Sequence, residues 1–446
     1  MAEIVLSIVS PLDGRYRTEM CEIFSEKAKL ERWMDVEIAL AKAHAKLGNI
    51  PKDVVEKIER AKNKVKLARV LEIEKETHHD LMAMVKAMGE HAGSGAAYIH
   101  LGATSYDIED SATALIFRDA IAQIEKRLAK LRVVLKKLAL AHKKTVCVGR
   151  THGQHAVPTT FGMKFAIYYQ EAGRNIERLK EAKKRILVGK MSGAVGTMAT
   201  FGGLGIEIEK IVMDELGLVP VLVATQIIQR DRHAEIMQIL ALISASVEKI
   251  AKEIRNLQRT ELMEIAEPFA LKQVGSSTMP HKRNPHKSER VCSLARIVRA
   301  NVQTALENIA LEHERDLTNS ANERFIFSES FVLSDYMLKE ITAILEGLEF
   351  FPKNIKRNLE LTRGLMLAER LMIKIVEKGI MGRQDAHALI KKLSMRTFKE
   401  EKHLKDIFIA SPIGKKFTKE EIDSLFDYLS YIGNAEKIIE RAIGTS

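Results

Sequence analysis

The 446-residue chain is predicted to be all-α, and three observations lead there. It carries only nine prolines, about 2% against a usual share of about 5%. Ala, Leu, Ile, Lys and Glu abound while aromatics make up 5%, a composition rich in helix formers. Several tracts run without any Gly or Pro, with apolar residues recurring at helical spacing. The length exceeds one usual domain, so two to three domains are expected.

Glycine and proline parse the chain in order. Thr18 to Leu47 has neither, and Gly48-Asn49-Ile50-Pro51 supplies a C′ glycine followed by a stop. Pro51 opens a short helix to about Val65, and a third helical stretch is expected from Thr77 to His91. Gly93 to Gly102 is a connection of small residues, and Thr104-Ser105-Tyr106-Asp107 has the makings of an N-cap. From Ser105 to Val148 apolar residues recur through Ile116, Ala120, Ile124, Leu128, Leu131 and Leu135. A helix of about 40 residues would span about 60 Å. The Gly-rich GKMSGAVGTMATFGG segment from Gly189 lacks a P-loop pattern and reads as a flexible turn that lets helices pack closely. Val221–Glu267 and His286–Glu346 are again free of Gly and Pro. The second is expected to hold two helices, because RDLTNSAN from Arg315 offers capping residues. Beyond Phe350 the helices shorten, broken at Gly364, Gly379, Gly382 and Pro412.

Segments this long should lie side by side as a bundle. They carry more apolar length than one subunit covers, which implies an oligomer. The expected division is an N-terminal helical domain over 1–104, a long-helix bundle over 105–350 and a C-terminal helical domain over 351–446.

The net charge of +11 admits nucleic acid, an anionic membrane or a polyanionic small substrate as partners. Lys and Arg are interleaved with Glu along helices, there is no basic tail, and no aromatic–basic pattern marks a single-strand binder. The excess therefore reads as a solvated helix surface, and no nucleic-acid partner is expected. Three isolated cysteines, Cys21, Cys147 and Cys292, without a CxxC pair point to a reducing, cytoplasmic setting and away from structural zinc. The N-terminus MAEIVLSIVSPLDGRY lacks a signal-peptide pattern, and no apolar run of 18 residues is present, so no membrane partner is expected.

The segment richest in chemistry is GSSTMPHKRNP, Gly275 to Pro285. It places two hydroxyls, a run of free N–H groups and two cations in one loop between helical tracts, equipment for holding an anion and moving a proton beside it. Asp13-Gly14-Arg15-Tyr16 can present Arg and Tyr to a phosphate or carboxylate, or be a plain turn. His78-His79-Asp80 suggests proton transfer; adjacent histidines point about 100° apart on a helix, which is poor for a metal. GRTHGQHAVPTTFG, Gly149 to Gly162, puts His152 and His155 in a punctuated loop, as acid–base groups or as packing and capping groups. In EHERDLTNSANER, Glu312 to Arg324, the residues Arg315, Ser320 and Arg324 can face one ligand, or form a helix N-terminus laced with ion pairs.

Together these segments resemble the fumarase/aspartase superfamily, whose GSSxMxxKxN signature is matched at every fixed position by Gly275 to Asn284. SPLDGRY, THHD, TSYD, GRTHGQHAVPTTFG, TQIIQRD, MPHKRNP, SERVCSLAR and RDLTNSANER, in order from Ser10 to Arg324, resemble its adenylosuccinate-cleaving branch. The resemblance implies an all-α, three-domain fold and a homotetramer whose active sites are shared between subunits. It also implies no metal or organic cofactor and small anionic nucleotide substrates. The implied reaction is anti β-elimination of fumarate from adenylosuccinate and from the succinylated aminoimidazole carboxamide ribotide. In it Ser276 is the base and His152 the acid. A Ser hydroxyl is far too weak a base unless Lys282 and loop N–H groups stabilise its alkoxide. Lys282 and Asn284 then bind the succinyl carboxylates, with Ser277 beside them in the substrate-binding set, and Glu289 orients a histidine. Arg15 and Tyr16 meet the nucleotide, His78, His79 and Asp80 line the site, and Thr104, Ser105 and Gln226 hold the succinyl group. Arg290, Arg315, Ser320 and Arg324 contact the ribose phosphate and base. His78 stands where some members carry Arg, and Arg290 where some branches carry Asn.

Overall fold

A computed structural model describes residues 9–270, 272 and 275–444. The N-terminal stretch tested above for a signal-peptide pattern lies, through residue 8, outside them. The structure is two-thirds helical. The chain forms two compact units, one of Met1–Ala129, Arg174–Val247 and Ser293–Lys339, the other of Lys130–Gly173, Glu248–Cys292 and Glu340–Ser446.

The first unit begins with α1 (Glu26–Lys46), α2 (Lys52–Lys62), α3 (Leu67–Thr77) and α4 (Asp80–Ala92). Ser25 caps α1 by accepting from the Ala28 N–H, and Gly48 follows its end at φ 78°, the left-handed position glycine fills at least cost. One helix was expected across Thr77–His91; instead α3 stops at Thr77, His78 turns left-handed at φ 51°, and His79 caps α4 through its ring. Leu40, Ile58, Leu81, Met84 and Met88 form the centre of this core, all at most 1% exposed. The next helix, α5 (Ser105–Ala141), has buried Ile116, Ala120, Ile124, Leu128, Leu131 and Leu135 as its spacing predicted. It ends at Ala141, short of Val148, and a strand takes over from Val146.

That strand, β1 (Val146–Thr151), pairs antiparallel with β2 (Gln154–Thr160). The segment read as a loop is thus mostly a β-hairpin, with His152 and Gly153 as its two turn residues at φ 54° and 74°. Two successive positive φ values match the right-handed twist of the flanking strands. The remaining long helices are α6 (Phe161–Ile186), α8 (Asp231–Leu257), α9 (His286–Glu307) and α10 (Ser320–Glu346), with the shorter α7 (Gly205–Leu216) between α6 and α8. Val221–Glu267 yields a helix only from Asp231, whereas His286–Glu346 divides into two as its polar break predicted. Beyond Phe350, Leu371, Ile375, Leu404, Ile407 and Phe408 pack short helices into a separate core in the second unit.

The Gly-rich segment read as a flexible turn is anchored at its start, Gly189–Gly193, and turns at the surface only beyond it. Lys190 is fully buried and ion-paired with the equally buried Asp107, whose carboxylate also accepts from the backbone N–H groups of Thr104, Ser192 and Gly193. A buried pair whose remaining lone pairs are hydrogen-bonded fixes the backbone on both sides. The start of α5 and the Gly189–Gly193 backbone are therefore held as one piece.

Candidate active site

In the first unit, α4, α5, α10 and the connection before α10 bring together several of the sequence-selected residues. Arg324 on α10 pairs with Asp80 at the start of α4, Nη2 to Oδ2 at 2.6 Å. Burial works to raise the Asp80 pKa, but Arg324 and the Leu81 N–H outweigh it and hold the carboxyl below its usual range. The Tyr106 hydroxyl, one residue after Ser105, donates to Ser320 Oγ at 3.4 Å. The Arg315 guanidinium lies 3.5 Å over the Tyr106 ring, and its Nη1 donates to Gln226 Oε1 at 3.1 Å. Its Nε and Nη2 are buried and have no hydrogen-bond partner among the described residues. Buried donors left unpaired are costly, so this guanidinium is shaped for an acceptor brought from outside.

A buried ion cluster supports this group. Arg230, at the start of α8, donates to both carboxylate oxygens of Asp110 at 2.9 and 3.0 Å and to those of Glu323 at 2.8 and 3.3 Å. Burial alone would raise the Glu323 pKa; Arg230 and His233 instead hold it at about 2. Glu323 is therefore a fixed anion, and the bonds from Arg230 to both carboxylates pin α5, α8 and α10 to one another. Beside them is a cavity of about 210 Å³ whose lining includes Trp33, Glu109, Phe117, Ser320 and Arg324. Tyr16 packs edge-on against Tyr336 with centroids 5.2 Å apart, while Arg15 is exposed on the N-terminal turn. His78 and His79 form the joint between α3 and α4, and Thr104 and Ser105 stand at the α5 N-terminus above the Asp107 hub.

The second unit holds the signature loop. Ser276 Oγ accepts from the Met279 N–H at 3.1 Å and more distantly from the Thr278 N–H at 3.4 Å. Two donors aimed at one hydroxyl oxygen favour its anion. Asn284 Nδ2 donates to the Gly275 carbonyl at 3.0 Å and closes the loop on itself. A Cβ on Gly275 would come within 2.1 Å of the Lys282 carbonyl oxygen, so only glycine permits this closure. Ser277 and Lys282 are exposed and Arg290 is half-buried. Glu267, itself buried, caps α9 just after the loop, accepting from the Lys287 N–H, the Ser288 N–H and the Ser288 hydroxyl at 2.9–3.1 Å. Gln258 accepts from the Glu267 N–H at 2.9 Å and donates to the Arg283 carbonyl at 3.2 Å, tying the loop's end to α8.

His152 projects at the exposed hairpin tip. Behind it His155 pairs in register with Arg150, whose Nη2 meets Glu264 Oε1 at 2.5 Å. Burial and the Arg150 charge both push the His155 pKa down. The proposed acid and base thus belong to the second unit, and the arginine-lined group to the first.

Sequence reading missed two groups, Lys190 with Asp107 and Glu109. The second had a signal: Glu109 lies four residues after Ser105, hence on the same face of α5. Burial above all, with Asp80 and Asp110 nearby, pushes its pKa up to about 8.

A profile of the family described as Lyase matches residues 14–300, and one described as Adenylosuccinate lyase C-terminus matches residues 364–442. An adenylosuccinate lyase of Pyrococcus abyssi is 55% identical over 439 residues, covering 98% of this chain and 97% of that one. Among solved structures, a 3-carboxy-cis,cis-muconate lactonizing enzyme from Pseudomonas putida superposes with a TM-score of 0.90 at 34% identity, covering 98% of this chain and 99% of that one. A fumarate lyase from Mesorhizobium sp. BNC1 follows at 0.89 and 32%, covering 96% and 98%.

Proposed function

The chain belongs to the adenylosuccinate lyase family, and from that premise we propose that it releases fumarate from adenylosuccinate, leaving AMP. The observation that carries the proposal is Arg315: stacked on Tyr106, held by Gln226, and left with two buried donors that suit a phosphate. The succinylated aminoimidazole carboxamide ribotide offers the same succinyl and ribose-phosphate groups and is the proposed second substrate.

Ser276, as alkoxide, takes the proton from the succinyl carbon next to the carboxylate. The electron pair left behind forms the C=C bond of fumarate as the C–N bond breaks on the opposite face. His152 gives its proton to the departing nitrogen. The N–H groups of Thr278 and Met279 stabilise the Ser276 oxyanion, and Lys282 and Asn284 take up the charge that develops on the carboxylate. Arg15, Tyr16, Arg315, Ser320 and Arg324 bind the ribose phosphate, and Thr104, Ser105 and Gln226 the succinyl group. Ser277, His78, His79, Asp80 and Arg290 complete the lining.

The proposal includes a homotetramer with sites shared between subunits and a three-domain division at about residues 104 and 350. Leu222, Val223 and Phe325 are 102%, 82% and 73% exposed, apolar surface suited to cover by other copies. Purified protein is expected to convert adenylosuccinate into equal amounts of fumarate and AMP. Cleavage of argininosuccinate with adenylosuccinate untouched would overturn the substrate reading.

A further inference from the structure

Every acid around the 210 Å³ cavity except one is matched by a cation. Arg230 serves Asp110 and Glu323, Arg324 serves Asp80, and Lys29 serves Glu26 at 2.6 Å. The exception is Glu109, which lines the cavity beside Ser320 and Arg324 and has no ion pair or side-chain hydrogen bond among the described residues. The charged and titratable groups around it are Lys29 and Glu26 on α1, Asp80 on α4, Tyr106 and Asp110 on its own α5, Arg315 on the connection, and Glu323 and Arg324 on α10. Glu109 thus sits among the carboxylates of Asp80, Asp110 and Glu323, next to the two guanidiniums with capacity to take a phosphate.

We propose that Glu109 is a positioning residue, held as a neutral acid so that Arg315 and Arg324 stay open to the phosphate of the substrate, and that its ionisation closes the site to that phosphate. The inference rests on the reading that Arg315, Ser320 and Arg324 take the phosphate. An ionised Glu109 would be a carboxylate with no cation of its own, and it would draw both guanidiniums toward itself. It would also repel a phosphate dianion. With its pKa pushed up to about 8, the neutral form dominates at pH 7, while at pH 9 only about a tenth of the molecules retain it. Apparent affinity falls with the competent fraction, so KM should rise about tenfold over that range. The phosphate's own second ionisation, near pH 6, is about nine-tenths complete at pH 7 and contributes little across the range.

The test is the ratio of KM for adenylosuccinate at pH 9 to that at pH 7, in the wild type and in Glu109→Gln, which fixes the neutral state with nearly the same shape. A wild-type ratio near ten and a variant ratio below two support the inference; equal ratios overturn it. Thermal unfolding gives a second readout. An acid whose folded pKa is raised costs stability as pH climbs from its unfolded value, about 4.3, to about 8. The stability of Glu109→Gln relative to wild type should therefore improve between pH 5 and about 8 and then level off, and a constant difference would count against a neutral Glu109. Glu109→Met replaces the Gln variant if the latter does not fold. If the wild type releases no fumarate at any pH, the phosphate reading falls and the inference with it; release with equal ratios removes the inference alone.

Discussion

The arginine-lined group of the first unit and the signature loop of the second unit meet the same problem, managing negative charge, in opposite ways. Around Arg230 and Arg315 the charges are enclosed by helices, Arg230 fully buried and Arg315 half-buried, and are held at fixed distances by Asp110, Glu323, Gln226 and Tyr106. Around Ser276 the polar groups are largely exposed and their shape comes from backbone: two N–H groups on one oxygen, one Asn bond, and a glycine pressed against a carbonyl. Binding charges gain from rigidity, since an anion then meets donors already oriented. A group that must reach a reacting carbon gains from a loop that can close and reopen. The difference teaches that stability and binding should fail together in the first region, while turnover should fail alone in the second.

The largest effect expected in the first region follows from Arg230→Met. It leaves Asp110 and Glu323 buried without their cation, and a broken buried pair costs about 3–5 kcal/mol. Denaturant unfolding should show that loss, with a midpoint shifted at unchanged slope. A change below about 1 kcal/mol would mean that water reaches the cluster. A smaller effect should follow Arg315→Met, which removes the open guanidinium but leaves no buried charge behind. Loss of a charged hydrogen bond to the ligand, about 1.5–3 kcal/mol, corresponds to a KM raised by about ten- to 150-fold. Steady-state kinetics should show most of that in KM, with kcat changed far less. A loss confined to kcat would assign Arg315 to the chemical step and blur the contrast between the regions.

Much of the helical frame was legible in the sequence, because it depends on local signals. Gly48 ended its helix, RDLTNSAN separated α9 from α10, and the α5 spacing gave its buried face. The hairpin at Val146–Thr160 was not legible: its turn is His-Gly rather than Asn-Gly, and its alternation is weak because β1 is buried at consecutive positions, Cys147 and Val148. The Gly-rich segment at Gly189 looked loose because the partner that orders it, Asp107, lies 83 residues away from Lys190. The candidate site residues named from sequence all came from motifs. Glu109 was passed over because its one signal, a shared face with Ser105, is weak; only the three-dimensional cavity shows a carboxyl with no cation of its own. Such residues take their character from long-range packing, which pattern alone does not carry.

The central claim is that the loop supplies chemistry while the arginine-lined group supplies binding, and Ser276→Ala tests it most directly. Adenylosuccinate binding by calorimetry and fumarate release by absorbance are to be measured on the same preparation. The account predicts a dissociation constant within a few-fold of the wild-type KM, together with fumarate release slowed by at least about a thousandfold, on the scale seen when a catalytic nucleophile or base is removed. Turnover within tenfold of the wild type would contradict it and take the base role away from Ser276.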